Sequence, residues 1–346
     1  MTTMHLDIAD NSGEIVSKSL DLDVMRSAKF IHVNHGDISR NNDNILQLAT
    51  NHSNIRDLVF ELAGEGFHLF KSEGGRSSFV QAEHISSFWH RVKEGEFSLS
   101  DTGLIYTIAK NSTQPKSMVV IFSSMADVYN KSSLMRYFEQ NFRSIAKFIP
   151  EETLILRIAD IGGVVGGFYM PTKFDPMAAD NIANLITEIS TNFDIPAKRV
   201  VLYGASKGGT GALYHALNSG YHCISVDPVV TDDYYETHYK DSHWTSGDLF
   251  LERKVDAFSR AAKEFAQNTD HFQNRICVVS SPGSPLFGSI SEFVSTLPEE
   301  RLNYLVSHDK KITSHPDVSR HTLKLVTGLI NVHLEGLSLN RENYNF

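Results

Sequence analysis

A serine flanked by glycines in the pattern Gly-x-Ser-x-Gly occupies residues 204–208, and this spacing is typical of an activated acyl-transfer nucleophile. Residues 200–203 before it are aliphatic or aromatic, as in a buried strand, whereas residues 210–217 after it have helical apolar spacing. The pattern predicts a nucleophile elbow, a sharp turn from strand to helix that exposes the hydroxyl of Ser206. Glycines are needed on both sides of such a turn because a Cβ would collide with the strand or the helix. An ordinary glycine-rich turn is the alternative.

The base that activates such a serine is usually a histidine in the loop between the last strand and the last helix. His315 stands in that place, before a helix predicted over residues 318–331. His308 at the end of the preceding strand and His321 inside the helix are competing candidates. Because the chain contains 16 histidines, position rather than residue type favours His315.

The acid of the triad is harder to place. It commonly follows the strand before the last one, but residues 280–287 contain no carboxylate. We predict Asp227 instead, because it ends the strand after the elbow helix, one strand nearer the nucleophile. A turn role beside Pro228 is the alternative, as is orientation of the histidine by a hydroxyl or carbonyl group. Weaker candidates for the acid are Asp232, Asp233 and Glu292.

An oxyanion hole needs two N–H donors near the nucleophile. The backbone amide of Lys207, at the start of the elbow helix, is the first predicted donor. The amide of Ser124 or Met125 is the second, because these residues follow the first strongly apolar strand, residues 118–122.

Two further segments are expected near the serine. Residues 160–169 are glycine-rich but lack the spacing of a phosphate-binding loop, so we expect a flexible loop beside Ser206. A polar and aromatic insertion over residues 228–250 could form a lid that stacks on sugar rings, or a packed loop or subunit contact. The predicted substrate contacts in these regions are Tyr169, Arg157 and Tyr234.

The elements that must position these residues alternate between strand and helix from about residue 96 onward. This order predicts an α/β fold with a mostly parallel sheet, helices on both faces and active groups at the carboxyl ends of the strands. One of the helices is predicted over residues 134–148. Residues 1–95 contain polar loops and short amphipathic pieces and are predicted to form a small N-terminal accessory domain, followed by a catalytic domain over residues 96–346.

Composition narrows the class of protein. The 346 residues carry a net charge of −9, which argues against general affinity for nucleic acid or anionic lipid. The sequence contains no apolar run long enough to span a membrane and no secretion signal, and its two cysteines are predicted to be buried. These features predict a cytoplasmic protein. His32 and His35 have a spacing seen in metal sites, but no further ligand cluster accompanies them, so no metal is expected.

With these residues placed, the chain resembles the α/β-hydrolase superfamily and, within it, bacterial capsular polysaccharide biosynthesis proteins, including capsule O-acetyltransferases. The resemblance rests on residues 204–213, the strand end at 122–124, residues 166–169 and the His315 loop. It covers roughly residues 95 to 335 and leaves the N-terminal portion unexplained. The superfamily pattern has an aspartate in the loop where this chain has Gly283 and Ser284.

The resemblance implies a serine acyltransferase or esterase acting on a capsular or surface polysaccharide or its sugar-phosphate precursor, through an acyl-enzyme on Ser206. It also implies acetyl-coenzyme A as acyl donor, with no other cofactor, and capsule-assembly partners. One alternative is a capsule-assembly protein of the same fold with altered chemistry, which cleaves glycosidic or phosphodiester links or only binds glycan. Another is a non-catalytic interaction module that uses the aromatic insertion.

Overall fold

The computed structural model of the protein describes residues 2–8, 22–36, 43–128, 130–268, 274–337, 339 and 344–345. Its N-terminal part contains β1 (Thr3–Asp7), α1 (Leu22–Arg26), β2 (Phe30–Asn34), α2 (Ile45–Leu48), α3 (Ser53–Gly64), β3 (Phe67–Glu73), β4 (Arg76–Gln81), α4 (Ile85–Phe88) and α5 (His90–Lys93). The remainder contains β5 (Ser98–Leu99), β6 (Ile105–Ala109), β7 (Ser117–Phe122), β8 (Thr153–Ile158), α6 (Ala178–Asn192), β9 (Val200–Ala205), α7 (Lys207–Leu217), β10 (His222–Val226), α8 (Asp233–His238), α9 (Lys254–Gln267), β11 (Ile276–Ser280), α10 (Phe287–Val294), β12 (Leu302–Val306), α11 (His315–Leu334) and β13 (Tyr344–Asn345).

The larger sheet has the strand order β5-β6-β8-β7-β9-β10-β11-β12-β13. Strands β7 to β13 are parallel to one another, whereas β5 and β6 form an edge in which β6 pairs antiparallel with both β5 and β8. Every residue of β7, β8, β10 and β11 is buried, as expected for apolar strands covered on both faces. Helices α6, α7, α9 and α10 pack on one face and α11 on the other. The predicted α/β fold class, a mostly parallel sheet with helices on both faces, is confirmed.

A second, four-stranded sheet lies N-terminal to this one, in the order β1-β2-β4-β3. In the sequence, all strands of the smaller sheet come before residue 95 and all strands of the larger sheet come after it. The division of the chain into two domains at that point stays a prediction. The hydrophobic core of the N-terminal sheet includes Val164, Trp244 and Leu249 from the larger part of the chain. Arg136 also donates a hydrogen bond of 2.6 Å to the carbonyl of Leu69 in β3. The N-terminal unit is therefore packed against loops of the larger sheet.

The helix predicted over residues 134–148 is wrong. The structure has only two short 3-10 helices there, Leu134–Tyr137 and Ile145–Lys147, and Phe142 between them has φ 48°. The guanidinium of Arg157 donates to the carbonyls of Asn141 and Phe142 at 2.7 and 3.2 Å. These contacts from β8 satisfy carbonyls that a helix would pair internally, so tertiary structure overrides the local apolar pattern.

The last helix, in contrast, is longer than predicted and begins at His315. Its first turn contains the proline at residue 316. Proline is favourable there because an N–H in the first turn of a helix has no acceptor within the helix, so no hydrogen bond is lost. In the described part of the chain, no helix has both the length and the apolar character needed to cross a membrane.

Candidate active site

Ser206 lies at the turn between β9 and α7, with φ 55° and ψ −123°. A positive φ is strained for a residue with a side chain, and such strain is common at functional sites. A Cβ on Gly204 would lie 2.0 Å from the carbonyl oxygen of Gly208, and one on Gly208 would lie 2.2 Å from that of Phe122. Both positions therefore require glycine. The turn has the geometry of a nucleophile elbow at the carboxyl end of a central strand.

Ser206, His315 and Asp227 form a continuous chain of hydrogen bonds. The Nε2 atom of His315 is 2.7 Å from the Oγ of Ser206, and its Nδ1 atom is 2.7 Å from the Oδ2 of Asp227. Asp227 follows β10 directly and is 1% exposed, whereas His315 begins α11. The structure thus brings together the three residues that the sequence singled out. With Nδ1 donating to the carboxylate, Nε2 is left as the acceptor for the serine proton.

The carboxylate of Asp227 has two further partners, both hydroxyl groups from the end of β11 and the loop after it. Ser280 donates to Oδ1 at 2.5 Å, and Ser284 donates to Oδ2, the oxygen that also faces His315. Both serines are buried. Ser284 stands where the superfamily pattern described above has an aspartate, and here its hydroxyl contacts the carboxylate at the end of β10.

The competing candidates lie elsewhere. His308 is exposed after β12, and His321 is exposed on α11 with its Nδ1 3.7 Å from Asp309. Of the weaker acid candidates, Asp232 pairs with Lys254 and Asp233 with Arg253, and Glu292 is exposed on α10.

Of the two candidates for the second oxyanion donor, the amide of Ser124 already donates a hydrogen bond within the protein. The backbone N–H of Ser124 donates to the Oδ1 of Asn141 at 2.7 Å, and Asn141 donates back from Nδ2 to the hydroxyl of Ser124 at 2.7 Å. Met125, the next residue, lines the same cavity as Ser206. The amide of Lys207 belongs to the first turn of α7, directly after the serine. This arrangement favours Lys207 and Met125 as the donor pair.

The glycine-rich segment is packed rather than flexible, contrary to expectation. The carboxylate of Asp160 accepts hydrogen bonds from the amides of Gly167, Phe168 and Tyr169 at 2.9 to 3.1 Å. It also pairs with the ammonium group of Lys207 at 2.6 Å, and the Lys207 side chain is fully buried. Lys207, the residue after Ser206, therefore holds this segment beneath the elbow through its ion pair with Asp160, a role that was not predicted from the sequence.

Two predicted substrate contacts are placed away from the cavity. Tyr169 is 1% exposed, and its hydroxyl accepts from the amide of Ser123 at 2.6 Å and donates to the carbonyl of Ile158 at 3.1 Å. Burial raises the pKa of Tyr169 above its usual value. Arg157 is turned toward backbone carbonyls, and burial lowers its pKa to about 10. Both side chains stabilise the fold beneath the site.

The cavity beside Ser206 has a volume of about 410 Å³. One wall is lined by Ser206, His315 and Asp227, and another by Tyr235 and His243 of the insertion. Asn141 and His243 had not been singled out from the sequence, because nothing in their local sequence indicates that they converge on the serine. Two charged residues of opposite sign, Asp127 and Arg320, also line this space.

A second cavity of about 510 Å³ adjoins the first, and His315 and Tyr235 line both spaces. Tyr234 and Tyr239 line it, and their ring centroids lie 5.6 Å apart. Tyr239 is 54% exposed. The predicted contact Tyr234 therefore lies in this second cavity rather than beside Ser206.

Within the described ranges, no three or more histidine, cysteine or acidic side chains are grouped as metal ligands. His32 and His35, which have metal-like spacing, make hydrogen bonds to the hydroxyls of Ser78 and Ser77 at 2.8 and 3.0 Å.

No protein-family model matches the sequence, and no curated protein matches it either. Among solved structures, a chain of a glycosylation-associated protein complex from Streptococcus agalactiae aligns with 74% of this chain at 15% identity and a TM-score of 0.49. The alignment spans 50% of that chain, so this protein covers only half its length.

Two other solved structures are covered more fully. The capsule O-acetyltransferase of Neisseria meningitidis serogroup A aligns with 67% of this chain and 92% of its own, at 14% identity and a TM-score of 0.47. The S-formylglutathione hydrolase of Agrobacterium tumefaciens aligns with 70% of this chain and 94% of its own, at 14% identity and a TM-score of 0.44. Similarity at such identities concerns the fold alone.

Proposed function

We propose that the protein is a serine-dependent acyltransferase or esterase that works through an acyl-enzyme on Ser206. The observation that carries this proposal is the continuous hydrogen-bonded chain from Ser206 through His315 to Asp227, at the strained turn of a nucleophile elbow. A serine is a weak nucleophile unless a base removes its proton, and a base works best when a third group orients it. The three residues meet both requirements.

In the first half of the reaction, the Oγ of Ser206 attacks the carbonyl carbon of an acyl donor as its proton passes to the Nε2 of His315. The carboxylate of Asp227 stabilises the imidazolium through Nδ1–H, without itself accepting the proton. The amides of Lys207 and Met125 donate to the oxyanion of the tetrahedral intermediate. Protonation of the leaving group by His315 then releases it and leaves the acyl group on the serine.

In the second half, His315 removes a proton from an incoming hydroxyl, which attacks the acyl-enzyme and frees Ser206. Water as the incoming group makes the protein an esterase, and a sugar hydroxyl makes it a transferase. The tyrosine-lined second cavity supports a sugar acceptor, because aromatic faces bind the apolar faces of sugar rings and this space adjoins His315. A capsular or surface polysaccharide or its sugar-phosphate precursor is the substrate class we propose.

Acetyl-coenzyme A as the donor, capsule-assembly proteins as partners and a cytoplasmic location belong to the same proposal. The alternative of a glycan-binding protein with altered or lost chemistry rested on the missing acid after β11. The contacts of Asp227 with His315 and Ser284 supply a candidate for that acid, and they support the acyl-enzyme proposal over this alternative.

The proposal is tested with a fluorophosphonate probe and p-nitrophenyl acetate. We expect the wild-type protein to be labelled and to release p-nitrophenol, and Ser206→Ala to lose labelling and roughly 10³-fold or more of the hydrolysis rate. Ser319→Ala is the matched control, because Ser319 lines the same cavity but its hydroxyl donates to the carbonyl of Pro316. A wild-type protein that neither labels nor hydrolyses, or a Ser206→Ala variant that still does both, contradicts the proposal.

Transfer is separated from hydrolysis by adding free hexoses and hexosamines to the p-nitrophenyl acetate reaction and detecting acetylated sugar by mass spectrometry. Tyr239→Ala should lower the ratio of acetylated sugar to acetate several-fold while fluorophosphonate labelling is unchanged, and Tyr239→Phe should keep the wild-type ratio. An unchanged ratio in Tyr239→Ala excludes the second cavity as the acceptor site.

A further inference from the structure

His243 forms part of the wall of the cavity that contains Ser206, although neither step of the proposed reaction uses it. The residue is 7% exposed, and its ring is stacked on Tyr235 with centroids 3.6 Å apart and planes inclined by 29°. Its Nδ1 atom is buried and has no hydrogen-bond partner within the part of the chain that the structure describes. A buried polar atom without a partner is unusual enough to need an explanation.

The environment of the ring determines which nitrogen carries the proton. Unpaired buried N–H groups are rarer in protein backbones than unpaired buried carbonyls, and on the same reasoning we assign the unprotonated nitrogen of the ring to Nδ1. The N–H of the neutral ring is then on Nε2. Burial lowers the pKa of His243 well below its usual value, and the cations of Lys254, His315 and Lys207 lower it further. The ring therefore stays neutral when His315 becomes an imidazolium.

The next residue, Trp244, fixes the position of His243 from the N-terminal side. The indole is buried in the hydrophobic core of the N-terminal sheet and meets the ring of Phe60 edge-on at 5.5 Å. The guanidinium of Arg56 lies 4.2 Å from the centroid of the indole ring and also pairs with the carboxylate of Asp241 at 2.6 Å. Helix α3, which carries Arg56 and Phe60, thus contacts Asp241 before His243 and Trp244 after it.

The backbone of this segment is strained, so the contacts that hold it are needed. Lys240, Asp241 and Trp244 have φ values of 49°, 50° and 58°, although none is a glycine. The carboxylate of Asp241 also accepts hydrogen bonds from the amides of Thr245 and Ser246 at 2.7 and 3.0 Å. Arg56 binds this same carboxylate, and so the N-terminal unit stabilises the conformation that places His243 in the cavity wall.

We propose that His243 is a substrate-binding residue whose Nε2–H donates a hydrogen bond to an oxygen atom of the bound acyl ester, and that the N-terminal unit holds it there through Arg56 and Trp244. This inference rests on the proposed function, because it assigns a ligand to the same cavity. It also gives the N-terminal unit a role: its helix α3 holds the segment that carries His243 and takes no part in the chemistry.

The first test compares His243→Phe with His243→Gln. Phenylalanine keeps an aromatic ring against Tyr235 but removes both nitrogens, whereas glutamine keeps an N–H donor at a similar distance from the backbone. We expect His243→Phe to raise the KM for p-nitrophenyl acetate about tenfold with little change in kcat, as for loss of one hydrogen bond to bound substrate. His243→Gln should recover part of that loss, and fluorophosphonate labelling of Ser206 should persist in both variants.

The second test uses the N-terminal contact. Arg56→Met should raise KM in the same direction, and the double variant Arg56→Met/His243→Phe should be no worse than His243→Phe alone, because both changes act through one hydrogen bond. Arg26→Met is the control, since Arg26 forms an exposed ion pair with Glu65 in the same unit. If Arg56→Met fails to fold, Arg56→Lys, which keeps the charge and loses the planar contact with Trp244, replaces it.

The outcomes separate the two proposals. If the wild-type protein reacts but His243→Phe has the wild-type KM, the role of His243 is overturned and the proposed function stands. The same conclusion follows if His243→Phe loses kcat and fluorophosphonate labelling by similar factors, because the substitution then damages the site as a whole. Additive effects of Arg56→Met and His243→Phe overturn the role of the N-terminal unit. A wild-type protein that neither hydrolyses nor labels overturns the proposed function and this inference with it.

Discussion

The two walls of the cavity are built in different ways. The wall formed by the sheet carries Ser206, Asp227 and His315, each placed by the end of a strand or the start of a helix. The other wall carries Tyr235 and His243, which belong to the insertion between β10 and α9. Trp244, the residue after His243, packs in the hydrophobic core of the N-terminal unit. Regular elements therefore place the groups proposed to react, whereas long-range contacts place the groups proposed to select the substrate.

Behind each wall, a buried ion pair between a lysine and an aspartate joins two segments of the chain. Lys207 pairs with Asp160 beneath the elbow, and Lys254 at the start of α9 pairs with Asp232 of the insertion, both at 2.6 Å. The surroundings differ. Asp160 accepts three further backbone hydrogen bonds, while the ammonium group of Lys254 lies 3.7 Å from the centroid of the Phe168 ring.

The largest effect on the sheet wall is expected from Asp227→Asn. The amide cannot stabilise the imidazolium and favours the wrong tautomer of His315, so kcat for p-nitrophenyl acetate should fall roughly 10⁴-fold. Asp233→Asn is the control because Asp233 is an exposed residue of the insertion. Retention of full activity in Asp227→Asn would remove this residue from the triad.

The elbow itself is tested by Gly208→Ala. The added Cβ would lie 2.2 Å from the carbonyl oxygen of Phe122 in β7, and backbone on both sides prevents relief. We expect the free energy of unfolding in urea to fall by more than about 4 kcal/mol. Gly328→Ala in α11, where a Cβ meets nothing within 4 Å, should instead gain roughly 0.5 to 1 kcal/mol. Equal stability of the two variants would contradict the close approach of α7 to β7.

The same contrast explains how much could be predicted from the sequence. The elbow glycines, the alternation of strands and helices and the position of His315 follow from local patterns, because strand ends and helix starts have recognisable residues. Strands in parallel sheets also place their carboxyl ends at one edge. Asp227 could be proposed by elimination, since no carboxylate follows β11. Its hydroxyl partners, Ser280 and Ser284, became visible only with the coordinates.

What could not be predicted depends on contacts between distant residues. The apolar spacing of residues 134–148 indicates a helix, yet Arg157 from β8 binds the backbone carbonyls of that segment. Tyr169 was expected at the substrate because it follows a glycine-rich run, but Asp160 draws that run into the core. His243 has no local signal at all, because its place depends on Trp244 and Arg56, which is almost 190 residues away in the sequence.

The two ion pairs give a direct comparison of the walls. Lys254→Met leaves the carboxylate of Asp232 buried without its cation and should lower the free energy of unfolding by about 3 to 5 kcal/mol. Lys207→Met should have a smaller effect, because three backbone N–H groups still bind Asp160. Chemical unfolding of the two variants measures the difference. The double variant Lys254→Met/Asp232→Asn should recover much of the loss, and a larger effect of Lys207→Met would reverse our ranking of the two walls.

The smallest expected effect is on the pH dependence of the free energy of unfolding. It shows whether the two walls unfold together. Burial lowers the pKa of His215, in the elbow helix, to about 4, and its Nε2–H donates to the carbonyl of Tyr169 at 2.9 Å. Below about pH 6.5 the unfolded chain binds a proton at this residue that the folded protein binds only below about pH 4. Stability should therefore fall between these values as the pH decreases, by up to about 1.4 kcal/mol per pH unit for this group.

His215→Gln keeps an amide donor and cannot titrate, so the slope of unfolding free energy against pH should become shallower by up to one proton. His243, on the insertion, also has a lowered pKa, and His243→Gln provides the matching variant. If both walls unfold in one transition, each variant should remove up to one proton from the slope measured by urea unfolding between pH 7 and 4.5. If only His215→Gln changes the global slope, the insertion opens before the sheet unfolds, because its histidine then gains its proton in a separate step. An unchanged slope in His215→Gln would contradict the burial of a neutral imidazole beneath the elbow.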